Sequence, residues 1–99
     1  MTVSYHPSAQ DDVNEILDYY RKVGGELLAD RFFQELMNHI QAMAAHPERF
    51  PSYLGRAPFR RLRLSRFPHV IVFRILKDSV RITVVKHEKR HPAYGMKRR

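Results

Sequence analysis

Three runs of β-branched and aromatic residues between Arg60 and His91 constrain this chain more than anything else in it. They read Arg60-Arg61-Leu62-Arg63-Leu64, then Val70-Ile71-Val72-Phe73-Arg74-Ile75, then Val80-Arg81-Ile82-Thr83-Val84-Val85-Lys86-His87. Turn-forming residues divide them, which predicts a meander of antiparallel strands. With Asp78-Ser79 as a two-residue loop, Ile75 opposes Ile82 and Phe73 opposes Val84. Centring the preceding turn on Phe67-Pro68 sets Leu64 opposite Ile71 and Leu62 opposite Phe73. One face then carries Leu62, Leu64, Ile71, Phe73, Ile75, Ile82 and Val84, a set that a one-residue slip would scramble. The other face carries Arg61, Arg63, Arg74, Arg81 and Thr83, with Val70, Val72, Val85 and His87 between them. In this register Arg61 lies across from Arg74. Like charges directly opposite each other are destabilising, so a one-signed face of this kind points to a bound anion or an anionic partner. The plainer reading is a solvated outer face.

Ahead of the meander, Thr2–His6 alternates, with Val3 and Tyr5 on one side, and predicts a short first strand ended by Pro7. Ser8 reads as a helix N-cap with an acid, Asp11, three residues on. Ala9, Val13, Ile16, Leu17 and Tyr20 then share one helical face, and Asp11, Asp12, Glu15 and Asp18 fall outside it as ordinary solvated surface. Gly24-Gly25 is the expected end of this helix. A second helix over about residues 26–45 presents Leu28, Phe32, Phe33, Leu36, Ile40, Met43 and Ala44, a stripe better suited to a core than to a cofactor. Together these predict an α+β domain over residues 1–99. An N-terminal strand and an antiparallel helical hairpin precede a three-stranded antiparallel meander, and both helices cover one face of the sheet in a two-layer sandwich. The proline-rich loop 47–58 offers Phe50 and Tyr53 as plugs for a core edge, and the last residues are expected to fray.

Charge is distributed unevenly. Residues 1–59 hold 5 Lys and Arg against 8 Asp and Glu, whereas residues 60–99 hold 13 against 2. A basic meander and tail behind an acidic front half suits an anionic partner, either nucleic acid or an acidic protein segment. No apolar run approaches the roughly 18 residues of a membrane span, and the basic residues lie off any amphipathic helix. The chain has no cysteine, which removes disulfides, thiol nucleophiles and cysteine zinc sites, and fits a reducing cytoplasm.

Of the six histidines, only His87 and His91 sit close together within the basic region. With no third ligand or carboxylate cluster beside them, no metal site and no cofactor are expected. One constellation remains: His87, Arg90, His91 and Tyr94 after the last strand, beside Arg61, Arg63, Arg74 and Arg81. Metal-free RNA cleavage uses such groups, with histidine or tyrosine moving protons and arginine stabilising the developing phosphorane charge. The alternative is a basic surface that only holds an acidic partner.

Spread over nearly the whole chain, Pro7, Ala9, Asp12, Val13, Ile16 and Tyr19, then Ala29, Phe33, Leu36, Ile40, Pro47 and Pro51, then Arg61-x-Arg63, Phe67-Pro68-x-Val70-Ile71, Val80-x-Ile82, Val85 and His87-x-x-Arg90 resemble the RelE/ParE superfamily of bacterial toxins, which includes plasmid stabilisation proteins. The resemblance implies a growth-inhibiting toxin of a type II toxin–antitoxin pair, neutralised by a cognate antitoxin with an acidic or amphipathic segment. Two mechanisms divide the superfamily. RelE-like members cleave mRNA on the ribosome through basic residues and a C-terminal tyrosine, which would make Arg61, Arg63, Arg81, His87, Arg90, His91 and Tyr94 the candidates here. ParE-like members poison DNA gyrase without that set. Aligned on Tyr94, Glu88 stands where a RelE-like enzyme has arginine, whereas Phe67-Pro68-x-Val70-Ile71 and His87-x-x-Arg90 look ParE-like. A third alternative is a basic binding module that has lost toxicity.

Overall fold

A computed structural model describes all residues, 1–99. Strand β1, Thr2–Tyr5, leads into a helical element α1, Pro7–Ala45, and a short 3-10 turn, Pro47–Arg49. Strands β2, Phe59–Arg63, β3, His69–Ile75, and β4, Ser79–His87, follow. The sheet has four strands in the order β1-β4-β3-β2. Its β2–β3 and β3–β4 pairs are antiparallel, and β1 joins β4 in parallel. The sheet is therefore mixed and four-stranded, where the sequence predicts a purely antiparallel three-stranded meander. The β-branched Val80 and Ile82 of β4 accept a neighbour on either edge, so the alternating Val3 and Tyr5 pair there as readily as a hairpin strand would.

The helical region is one long element, Pro7–Ala45, and not the expected antiparallel hairpin of two helices with a Gly24-Gly25 connection. Pro7 occupies the first helical turn, where its missing N–H costs nothing. The cap is His6, whose Nδ1 accepts from Ser8 N at 3.0 Å. His6 thus takes the place expected of Ser8, because Pro7 already has helical φ. From there the element is helical to Ala45, with one residue, Gly25 (φ 80°, ψ −178°), out of helical geometry. A straight helix of this length would span roughly 58 Å, whereas the molecule's longest dimension is 38 Å. The break at Gly25 redirects the chain, and the rings of Tyr20 and Phe32 on its two sides stand 5.4 Å apart. Glycine reaches positive φ without penalty, so the kink falls at Gly25, within the Gly24-Gly25 pair expected to end the first helix.

The apolar stripe of α1 and the inner sheet face enclose the main core, in which Phe32, Leu36, Met43, Ile71, Phe73, Val80 and Ile82 are fully buried. Phe33, expected in the stripe, is instead 43% exposed. Both turns of the meander sit one residue earlier than the sequence suggests. Leu62 opposes Ile71 and Arg61 opposes Val72, while Phe73 opposes Ile82 and Ile75 opposes Val80. Such a change moves each pairing by two residues and preserves which face each side chain occupies. Arg74 consequently faces Arg81, and the expected Arg61–Arg74 apposition does not occur.

Face assignment does change beyond Ile82. The register shifts between Val72 and Phe73, so that Val72 opposes Val84 and Thr83 has no partner. This extra residue is a β-bulge. It turns Val85 into the main core beside Ile71 and sends Val84 to the outer face. It also buries Thr83, whose Oγ1 donates to Val72 O at 3.4 Å. Val84, expected under the helices, and Thr83, Val85 and His87, expected on the outer face, are corrected by this one insertion. The outer face is not simply solvated either. Tyr53, Phe59, Val70, Val72 and Val84 form a second apolar cluster there, covered by Tyr94 and Met96 of the C-terminal segment.

Candidate functional site

Backbone accounting explains how the C-terminal segment is held. Strand β1 ends at Tyr5, and His6 N makes the last bond on that edge, to Ile82 O at 2.8 Å. Beyond it β4 has no neighbouring strand, and its polar groups need other partners. Val85 N donates to Asp12 Oδ2 at 3.0 Å, and Thr83 O accepts from Arg98 Nη1 at 3.0 Å. The same Arg98 Nη1 donates to Asp12 Oδ2 at 2.6 Å, and the Tyr94 hydroxyl donates to Asp12 Oδ1 at 2.6 Å. Arg98 Nη2 donates in turn to the Tyr94 hydroxyl at 3.1 Å. Asp12 is only 5% exposed, the one buried carboxylate in the molecule. Read from periodicity as solvated surface, it is instead the point where helix, sheet and tail meet, and the tail is folded rather than frayed through Arg98. Successive turns at Tyr94, Met96 and Arg98 carry the segment back over the sheet. At Gly95 (φ 75°) a Cβ would come within 2.6 Å of Val84 Cγ2, so the close approach requires glycine.

This clasp fixes Tyr94. Its hydrogen bond to Asp12, together with burial, pushes its pKa above the usual phenol value, and Arg98 opposes that only in part. For Arg98, burial works against the charge, but the bonds to Asp12 and Tyr94 outweigh it and raise the pKa. The Arg90 guanidinium stacks 3.9 Å from the centre of the Tyr94 ring.

The remaining candidate residues fall around two clefts, which share Arg90, with Arg74, Arg81 and His91 outside both. Arg61, Arg63 and Arg90 line one cleft of about 240 Å³ between β2, the end of β4 and the C-terminal turn, together with Lys86 and Glu88. Arg63 Nη2 is paired with Glu88 Oε2 at 2.7 Å. His87, Arg90 and Tyr94 line a second cleft of about 220 Å³ against the first turns of α1, walled by Ile16, Tyr19 and Tyr20. Arg74 and Arg81 stand apart from both, opposite each other at the far end of the sheet. There Arg81 Nε donates to Arg99 O at 3.0 Å, and Nη1 lies 3.5 Å from Ser4 Oγ. Arg74 Nε is buried without a partner. His87 and His91 both spend Nδ1 locally, accepting from Lys89 N and Ala93 N at 3.0 Å each. His91 lines neither cleft. The predicted basic face thus holds the expected residues, but only Arg61, Arg63 and Arg90 share a cleft, and Arg74 and Arg81 line neither.

Besides Asp12 and Arg98, two residues lie outside what the sequence pattern predicts. Lys86 is 4% exposed, and its ammonium donates to the Tyr53 hydroxyl, to His91 O at 3.2 Å and to Pro92 O at 3.3 Å. His69 packs against Tyr20 and Phe32, with its ring 5.7 Å from that of His87. Burial, aided by His87 and opposed by Glu88, lowers the pKa of His69 to about 4. The alternation of β3 places His69 on the inner face, which is the one signal that would have found it. No three His, Cys, Asp or Glu side chains gather as a metal would need. No helix is long and apolar enough to cross a membrane.

No curated protein matches the chain. Among solved structures, a chain described as "Chromosomal ParDE TA system from P. aeruginosa" superposes with a TM-score of 0.77 at 19% identity, covering 88% of this chain and 95% of that one. At that identity the likeness is one of fold. The family model for the ParE toxin of type II toxin–antitoxin system, parDE, matches residues 3–92. That match takes in the strand, both arms of the helical element, the meander and the first C-terminal turn, and the chain belongs to the ParE toxin family of type II toxin–antitoxin systems.

Proposed function

We propose that this protein is a ParE-like toxin that halts growth by poisoning DNA gyrase through binding, and that a cognate antitoxin with an acidic segment neutralises it. The observation that carries this reading is the Tyr94 hydroxyl. It already donates to Asp12 and accepts from Arg98, and a general acid or base must instead reach the proton it transfers. Supporting observations run the same way. His87 and His91 use Nδ1 in turn hydrogen bonds, and Glu88 occupies Arg63. The fold partner from a ParDE system supports the antitoxin.

A second reading, a metal-independent endoribonuclease acting on ribosome-bound mRNA, is favoured by one observation: Arg61, Arg63 and Arg90 share a cleft. Induced expression without antitoxin, with mRNA integrity and the DNA-damage response followed together, separates the two. The gyrase reading expects arrested growth, intact mRNA and induced damage signalling, with Tyr94→Phe acting only through stability and affinity. The ribonuclease reading expects cleaved mRNA, silent damage signalling, and a loss of roughly 10²–10⁴ in cleavage for Tyr94→Phe or His91→Ala. No growth effect at all removes both and leaves a basic binding module.

A further inference from the structure

We infer that the cleft floored by Lys86 is an anchoring pocket for a carboxylate side chain of an acidic peptide segment, and that Lys86 is its buried cation. The inference rests on the reading of the chain as a toxin held by a protein partner. Lys86 is an ammonium in the protein interior, 4.9 Å from the centre of the Tyr53 ring. Its three donors all go to neutral oxygens, the Tyr53 hydroxyl and two main-chain carbonyls. It therefore acts on an anion through its charge and leaves the direct hydrogen bonds to Arg61 and Arg90. A buried charge without a counter-charge is costly, and an anion brought to the cleft relieves that cost. The walls add to the same field. Arg61 makes no ion pair, Arg90 is stacked on Tyr94 but unpaired with any acid, and Arg63 is neutralised by Glu88. The balance is three uncompensated cations around a space of about 240 Å³.

The shape of the basic surface selects the ligand. A nucleic-acid backbone follows a continuous track of cations, each meeting a phosphate. Here Arg61, Arg63, Arg90 and Lys86 instead gather around one space, which Arg74 and Arg81 do not line. A compact cationic pocket suits a single anchoring group. Its rim carries Leu54, 51% exposed, which offers an apolar contact to the residue beside that group. An Asp or Glu flanked by an aliphatic residue satisfies both features.

The test is binding of a labelled peptide with alternating glutamate and leucine to the full-length protein, alongside its glutamine counterpart and a short DNA duplex. Wild-type protein is expected to bind the glutamate peptide at least tenfold more tightly than the glutamine one, with affinity falling as salt rises. The Arg61 side chain makes no hydrogen bond or ion pair within the protein, and Arg61→Gln should weaken the glutamate peptide by about tenfold. Lys86→Met should do the same where circular dichroism shows it folded. Arg74→Gln, at a residue that does not line the cleft, should change affinity less than twofold. Equal binding of the two peptides overturns the proposal, as does an equal loss from Arg74→Gln. Tighter binding of the duplex than of the peptide replaces it with a phosphate track. These outcomes are independent of growth arrest, so the pocket can fail while the toxin reading stands, and the reverse.

Discussion

Removing the Asp12 carboxylate tests how the C-terminal segment is held. Asp12→Ala leaves Arg98 as an unpaired charge with a side chain only 15% exposed. Breaking such a buried pair from one side costs about 3–5 kcal/mol. The Val85 N–H at the strand edge also loses its acceptor, for about 1–3 kcal/mol. Water entry and movement of the tail are shared between the two, so they do not add. A loss of about 4 kcal/mol is expected, a large part of the roughly 5–15 kcal/mol available to a domain of this kind. Arg98→Met should lose less, because Asp12 keeps Val85 N and the Tyr94 hydroxyl. The double substitution should show a coupling of about 2 kcal/mol. Urea denaturation followed by far-UV circular dichroism gives these values, and limited proteolysis reports whether residues beyond His91 are released first. A loss below about 1 kcal/mol for Asp12→Ala would mean that the clasp does not hold the tail, and the argument that Tyr94 is a structural group would fall with it.

Other consequences are as direct. Phe73 is fully buried against Phe50, so Phe73→Ala should cost about 3–5 kcal/mol in the same denaturation assay; less than about 1 kcal/mol would place it outside the core. Gly95→Ala should destabilise by more than Gly55→Ala. Both residues have positive φ, worth about 1–2 kcal/mol of strain, but only at Gly95 does the new Cβ meet a neighbour, Val84. Arg63→Ala should change stability by less than about 1 kcal/mol, since its pair with Glu88 lies largely in solvent. Finally, the pKa of His69, about 4 when folded against 6.5 in the free residue, makes the unfolded chain bind the extra proton first. The stability this position supports is complete above about pH 6.5 and is lost as pH falls toward 4, by about 3 kcal/mol. Denaturation from pH 7.5 to 3.5 should show this loss, and His69→Phe should flatten it.

The amphipathic periods of α1 and the alternation in β2 and β3 were legible because each side chain has one apolar neighbour layer to answer to. A two-residue error in register left their faces intact. What was not legible came from residues without a repeat. The bulge at Thr83 inserts one residue into an otherwise regular run, and no local composition marks it. Everything beyond it inverts, which is why Val84 and Val85 exchange faces. Asp12 looked like a solvated acid because periodicity reports which face a helix position occupies. It does not report that a strand edge 73 residues away lacks an acceptor. Lys86 was hidden for a similar reason, since its partners are main-chain carbonyls and a tyrosine that only the folded turn brings together.

These unforeseen residues form one causal sequence. Because β1 stops at Tyr5, the edge of β4 is open past Ile82. The bulge then presents Val84 outward and leaves Thr83 O and Val85 N unpaired along that edge. Asp12 and Arg98 satisfy those two groups, and in doing so they bring Tyr94, Gly95 and Met96 down on the outer apolar cluster. Placing the segment there seats the His91-Pro92 carbonyls over Lys86 and brings Pro92 to the cleft that Arg61, Arg63 and Arg90 line. Part of the basic face thereby becomes a pocket. The tyrosine that residue chemistry would nominate for catalysis becomes the clamp that shapes it. Function in this chain is therefore read less from which basic residues are present than from the segment that decides which of them remain together.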